Sequence, residues 1–181
     1  MQERRQRLLA AAHQALRQQD YEQIQMKEVA AAAEMALGTV YQQFSSKEHL
    51  YAAVLLQWGV LGPGGTERRQ RPRSPKERVR AGVADVITAY ERWPYLYRLY
   101  PVLQGAADRN AQKLLAEFAA VPLGRLASDL RLVDPAIAED GAAMLWSLLV
   151  TRLALGLAHG GDLGDVRRLS TRLLDLLLER R

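Results

Sequence analysis

Residues 29–50 constrain this chain more than any other stretch. Residues 29–33 are small helix formers, Glu34-Met35 interrupts them, and helical spacing resumes at Leu37, with Val40 and Phe44 four apart on one face. Thr39, Gln42 and Gln43 fall on the opposite face. Ser45 followed by Glu48 has capping-box spacing and opens another helix. Two short helices joined by a tight turn, the second displaying hydrogen-bonding side chains, predict a helix-turn-helix. Its second helix is narrow enough for the major groove of DNA.

The flanks read as helix too. Leu8, Leu9, Ala12 and Leu16 recur at helical spacing within a first helix over residues 3–19. A connecting helix over 46–60 has Leu50, Val54, Leu55 and Trp58 as its apolar spine, and the glycines from Gly59 to Gly65 stop it. A linker over 61–74 follows. Residues 67–80 carry seven Lys and Arg against two Glu, a local +5 that equals the excess of the whole chain. Ser74-Pro75-Lys76-Glu77 is a capping box with proline in the first turn. Its helix reaches Arg92, where Trp93-Pro94 breaks it. An irregular aromatic stretch over 95–102 precedes a helix over 108–130, which Pro122 and Gly124 are expected to bend or split. Asp134-Pro135 opens a further helix, closed at His159-Gly160-Gly161, and Asp162 caps the last one. In that last helix Val166, Leu169, Leu173 and Leu176 mark one face, widened by Leu174 and Leu177. No strand pattern appears. The fold class expected is all-α, with a helix-turn-helix domain over 1–50 and a C-terminal helical domain over 51–181.

Gly38-Thr39-Val40-Tyr41, then Phe44-Ser45-Ser46-Lys47 and Leu50, resembles the signature of the TetR family of bacterial transcriptional repressors. The resemblance covers residues 4–55; beyond them only helical layout and length match. It implies that Thr39, Tyr41 and Lys47 clamp the DNA backbone, and that Leu37, Gly38, Gln42 and Gln43 line the groove. The chemistry agrees. Glycine allows close backbone approach, hydroxyls reach phosphate oxygens, glutamine can pair bidentately with adenine, and an ammonium in the first turn of a helix favours an anion. Arg4 and Arg5, at the exposed start of the first helix, are further candidates for phosphate contact. Three positions depart from the family pattern. Glu34 stands where a left-handed backbone is expected, at a steric cost. Ala36 replaces a capping serine, and Gln25 replaces a threonine. With Met26, these departures resemble the family's sterol-catabolism repressor branch.

Net charge does not identify the DNA-binding unit, because residues 1–50 hold six Lys and Arg against six Asp and Glu, a sum of zero. No cysteine is present, which excludes disulfides and thiolate chemistry. His13, His49 and His159 are scattered, without metal-ligand spacing or a nucleophile motif, so neither catalysis, a metal nor a cofactor is expected. The charged start of the chain does not read as a secretory leader, and the apolar run near 142–158 is interrupted by Ser147, Thr151 and Arg152, so the cytoplasm is expected and no membrane partner. The partners expected are a double-stranded DNA operator, a second copy of the chain through helices 136–158 and 163–179, and a small apolar effector, sterol-derived or fatty acyl. The candidate effector residues are Trp93, Tyr97, Tyr100, Phe118, Met144, Trp146 and Arg152. The competing expectation is a constitutive or architectural DNA-binding protein without a ligand, which would bind many sequences alike.

Overall fold

The computed structural model describes residues 2–59, 74–158 and 163–179. Every regular element among them is helical. The linker at 61–73, most of the basic run, His159-Gly160-Gly161 and Asp162 lie outside the described residues.

The chain forms two compact units: one from Met1–Gly65 with Tyr95–Phe118, the other from Thr66–Pro94 with Ala119–Arg181. In the first unit, α1 (Gln2–Gln18) packs on α2 (Met26–Ala32) and α4 (Lys47–Gly59), and α3 (Leu37–Gln43) packs on α2. Leu8, Leu9, Ala12 and Leu16 are the buried face of α1, as their spacing requires. The middle of α4, Leu50 through Leu55, is buried without a break, packed between α1 and the segment after Pro94. The Tyr51 hydroxyl donates to the Ala12 carbonyl at 3.2 Å, which fixes α4 on α1.

The aromatic stretch resolves into two short helices, α6 (Pro94–Tyr97) and α7 (Leu99–Gln104), the latter packed on α4. Next comes α8 (Arg109–Arg131), which runs through Pro122 as one helix and is not split. The second unit is built on α5 (Pro75–Arg92), α9 (Ala138–Ala158) and α10 (Gly164–Leu178), each packed on the other two. The Ser74–Glu77 capping box forms in both directions. The buried stripe of α10 is Val166, Ser170, Leu174 and Leu178, rotated from the leucine face expected from sequence. Its first described residue, Leu163, supplies no side-chain cap.

Candidate nucleic-acid interface

The turn between α2 and α3 closes by backbone alone. The Glu34 N–H donates to the Ala31 carbonyl at 3.0 Å and the Met35 N–H to the Ala30 carbonyl at 2.9 Å. This double reversal needs a left-handed residue at the corner. Glu34 supplies it with φ 56°, a conformation that crowds Cβ against the carbonyl. Its carboxylate lies 3.5 Å from Arg7 in an exposed pair that adds little. Glu34→Gly is therefore expected to raise stability by about 1 kcal/mol, once the greater entropy of a glycine in the unfolded chain is subtracted. Urea unfolding followed by circular dichroism measures this, and an unchanged midpoint would count against strain at the turn.

α3 begins at Ala36, an extended N-cap residue that offers no side-chain hydrogen bond. Val40 and Phe44 are buried and seat the helix. The outward face is Leu37, Gly38, Tyr41 and Gln42, with Gly38 and Gln42 nearly opposite the buried Val40 at about 100° per residue. All four are exposed, Leu37 to 40% and Tyr41 to 48%. Thr39 is half-buried at the side. Gln43 is half-buried too, and its Oε1 is buried without a hydrogen-bond partner among the described residues. The two glutamines are thus not equivalent: Gln42 is presented outward, whereas the Gln43 carbonyl is turned into the protein. Gly38 has helical backbone, and a Cβ built there would meet nothing within 4 Å. Neither packing nor conformation inside the chain calls for glycine at this position. The Arg5 guanidinium sits 5.3 Å over the Phe44 ring, beside the end of α3, and Arg4 is exposed on the first turn of α1.

One local reading needs correction. Ser45 and Glu48 do not form the cap of α4. Ser46 caps it, its Oγ accepting from the His49 N–H at 3.0 Å, because α4 starts one residue later than the Ser-x-x-Glu spacing implies. Lys47, for which the family resemblance implies a phosphate contact, has partners inside the chain. Its ammonium donates to the Tyr21 carbonyl at 2.5 Å, with the Glu22 carbonyl at 3.5 Å, and lies 4.2 Å over the Tyr21 ring. Burial lowers its pKa, while Glu22 and Glu48 oppose the shift. Lys47 therefore ties the start of α4 to the turn after α1. Lys47→Met keeps the apolar stem and removes the donor, so it should lower stability by about 1–2 kcal/mol. Chemical denaturation tests this, and a variant as stable as wild type would restore the ammonium to a role outside the fold.

The candidate effector residues are divided between the two units, Tyr97, Tyr100 and Phe118 in the first and Trp93, Met144, Trp146 and Arg152 in the second. Tyr97, Tyr100 and Phe118 come together in the first unit as packed core: ring centroids stand 6.3 and 5.3 Å from Phe118, which is 1% exposed. The Tyr97 hydroxyl donates to the Gly59 carbonyl. A Cβ at Gly59 would stand 2.7 Å from the Phe118 ring, so glycine is what lets the end of α4 approach it. Trp93 and Trp146 belong to the second unit, the first half-buried beneath the Arg92 guanidinium, the second buried. Met144 is 57% exposed, and Arg152 is exposed on α9, so its charge is solvated and needs no buried acid or ligand anion. Two concavities stand out. One of about 160 Å³ lies between α5 and α10, lined by Arg80, Ile87, Arg167 and Ser170 among others. One of about 330 Å³ lies between α1 and α2, lined by Arg7, Ala10, Ala33 and Glu34 among others. None of the seven candidates lines either.

Among the described residues no group of three or more His, Cys, Asp or Glu could hold a metal ion. No described helix is long and apolar enough to cross a membrane.

Comparison with known proteins matches two family profiles. The one described as bacterial regulatory proteins, tetR family, covers residues 8–54, and the one described as tetracyclin repressor-like, C-terminal domain, covers residues 72–154. The HTH-type transcriptional repressor KstR of Rhodococcus jostii (strain RHA1) is 34% identical over 95 residues, which is 52% of this chain and 44% of that protein. The matched stretch thus spans less than half of that relative's length. Among solved structures, a TetR transcriptional regulator from Rhodococcus sp. RHA1 superposes with a TM-score of 0.72 at 24% identity, covering 99% of this chain and 98% of that one. A TetR-type regulator from Streptomyces avermitilis MA-4680 gives 0.68 at 23% identity, covering 98% and 99%. At such identities these likenesses establish the all-helical fold.

Proposed function

The chain belongs to the TetR family of bacterial regulatory proteins, and from that premise we propose that it is a transcriptional repressor that reads a palindromic DNA operator through α3. The observation that carries this is the outward face of Leu37, Gly38, Tyr41 and Gln42, held on a buried Val40–Phe44 seat. Gln42 is the base-reading residue in this proposal, and the Tyr41 hydroxyl a phosphate contact. An architectural protein, the competing reading, would bind many sequences alike. Selection from random duplexes followed by footprinting is the test. Wild type should protect one short palindrome, and Gln42→Ala should relax preference at one base position by about 1–3 kcal/mol. A wild-type chain with no preferred site overturns the proposal.

Reading both half-sites needs a two-fold dimer, and α9 and α10 supply its surface in this reading. Met144, Leu148, Thr151 and Leu155 form one stripe of α9, with Met144 57% and Leu155 45% exposed. On α10, Leu169 and Leu173 are half-buried and Leu176 is 61% exposed. Leu177, part of the leucine face expected from sequence, is half-buried as well, with its side chain 3.7 Å from where a Cβ on Gly141 would stand.

The finer reading is release by a small, largely apolar effector, sterol-derived or fatty acyl in class. Its support is the resemblance at Gln25, Met26, Glu34 and Ala36, together with the aromatic residues of α6 to α8. Because Tyr97, Tyr100 and Phe118 are closely packed, an effector reaching them must select a conformation in which that packing opens, and must bind it more tightly than the DNA-bound one. Titrating sterol acids and fatty acyl compounds into a preformed operator complex, with Tyr100→Ala beside wild type, is the test. A complex unmoved by all of them is a constitutive repressor.

A further inference from the structure

Ser45 is the second residue past α3. With Ser46 capping α4, the Ser45 hydroxyl is available for another task. It donates to Asp108 Oδ2 at 2.6 Å and accepts from Asn110 Nδ2 at 3.1 Å. The other oxygen of the same carboxylate, Oδ1, accepts the backbone N–H groups of Asn110 at 2.7 Å and Ala111 at 3.1 Å. One oxygen therefore caps the start of α8 and the other grips the chain leaving α3. His49 reinforces the grip. Its Nδ1 accepts from the Ser45 N–H at 3.2 Å, and its ring stands edge-on to Phe44 with centroids 5.0 Å apart. Burial lowers the His49 pKa, which favours the neutral ring that this acceptor role needs. Phe44 is the side chain that seats α3, so Ser45 is placed where a small shift would tilt the whole reading face.

We propose that Asp108 is a positioning residue for DNA recognition: through Ser45 it sets where α3 points, although it lies far outside residues 8–54 of the DNA-binding profile. The first turn of α8 is thereby part of the reader. The proposal rests on α3 being the DNA-reading helix. The carboxylate is suited to the task. Hydrogen bonds from Ser45 first, then from Ser46 and the α8 backbone, hold its pKa far below the usual range, so it stays charged at any pH the protein meets. A hydroxyl-to-carboxylate bond is of the stronger, charge-assisted kind.

The two oxygens allow the two tasks to be separated in the full-length chain. Asp108→Ser keeps a good helix cap but has no second oxygen for Ser45. Asp108→Asn keeps the cap through its carbonyl and can donate its amide to the Ser45 hydroxyl. Ser45→Ala removes the tie from the other side. The readout is affinity for the selected duplex relative to a random duplex, by fluorescence anisotropy, with thermal midpoints alongside. Asp108→Ser and Ser45→Ala should each lower that ratio about fivefold, the effect of one net hydrogen bond, with midpoints only about 2–4 °C lower. Asp108→Asn should recover most of it. The double variant Ser45→Ala/Asp108→Ser should lose no more than either single, because both remove one shared contact. An unchanged ratio in both singles, or losses that add in the double, overturns the role of Asp108 and leaves α3 as reader. If Asp108→Ser fails to fold, Ser45→Ala decides alone. A wild type without a preferred duplex overturns the reading of α3 and this proposal with it.

Discussion

Leu176→Glu combined with Met144→Glu should yield a monomer that no longer protects a palindromic operator. Both side chains are long and apolar, and more than half of each is exposed, 61% for Leu176 and 57% for Met144. Neither contributes much to its own unit, so carboxylates there should leave the monomer folded. In a two-fold interface each carboxylate would be buried against apolar groups and, for residues near the axis, against its own copy. The second half-site is bound at high effective concentration only while the dimer holds, so operator affinity should fall by about 10²- to 10⁴-fold. Sedimentation velocity and anisotropy read the two effects separately. A double variant that remains dimeric moves the interface elsewhere, and a monomer that keeps full affinity removes the need for two-fold reading. Leu174→Glu is the contrast: that side chain is buried in the stripe of α10 that faces its own unit, and a carboxylate there should destabilise the fold.

Gly38→Ala should move stability and function in opposite directions. In a helix, alanine is favoured over glycine by about 0.5–1 kcal/mol. At Gly38 the added methyl meets nothing within 4 Å, so no clash offsets that gain. The same methyl projects from the outward face of α3, where the proposal brings DNA into contact. Losing close approach there should lower operator affinity about tenfold or more, the scale of one misplaced base contact. Denaturation midpoints and operator titration together decide it. A variant that is more stable and binds DNA as wild type does would mean that Gly38 is not at the interface.

Much of this molecule is legible locally. The burial of Leu8, Leu9, Ala12 and Leu16 follows from 3.6-residue periodicity. The Ser74–Glu77 capping box follows from two side chains and the backbone between them. The left-handed corner at Glu34 was implied by the family resemblance, a carboxylate standing where the family pattern has glycine. The TetR signature at residues 38–50 depends on the same short-range geometry, which is why it identifies the family from sequence.

Other features were decided only when distant segments met. Lys47 stands in the first turn of a helix in either reading, yet its ammonium goes to a carbonyl 26 positions away, because folding puts Tyr21 within its reach. Gln42 and Gln43 are equal in sequence, and only the seating of α3 on α2 turns one outward and the other inward. Spacing marks the leucines of α10, but the rotation of that helix against α5 and α9 chose Leu174 and Leu178 for the core and left Leu176 exposed. The aromatics of α6 to α8 were expected from sequence to meet an apolar effector, and it is the fold that packs Tyr97 and Tyr100 against Phe118 and brings Gly59 close to its ring. Asp108 advertises a helix start, but nothing near it in the chain announces Ser45, 63 residues before. Helix boundaries, caps and faces are set by backbone geometry over four or five residues, and the amino-acid sequence states them directly. Which side chain faces which partner depends on how whole helices pack, and that is decided only by the tertiary structure.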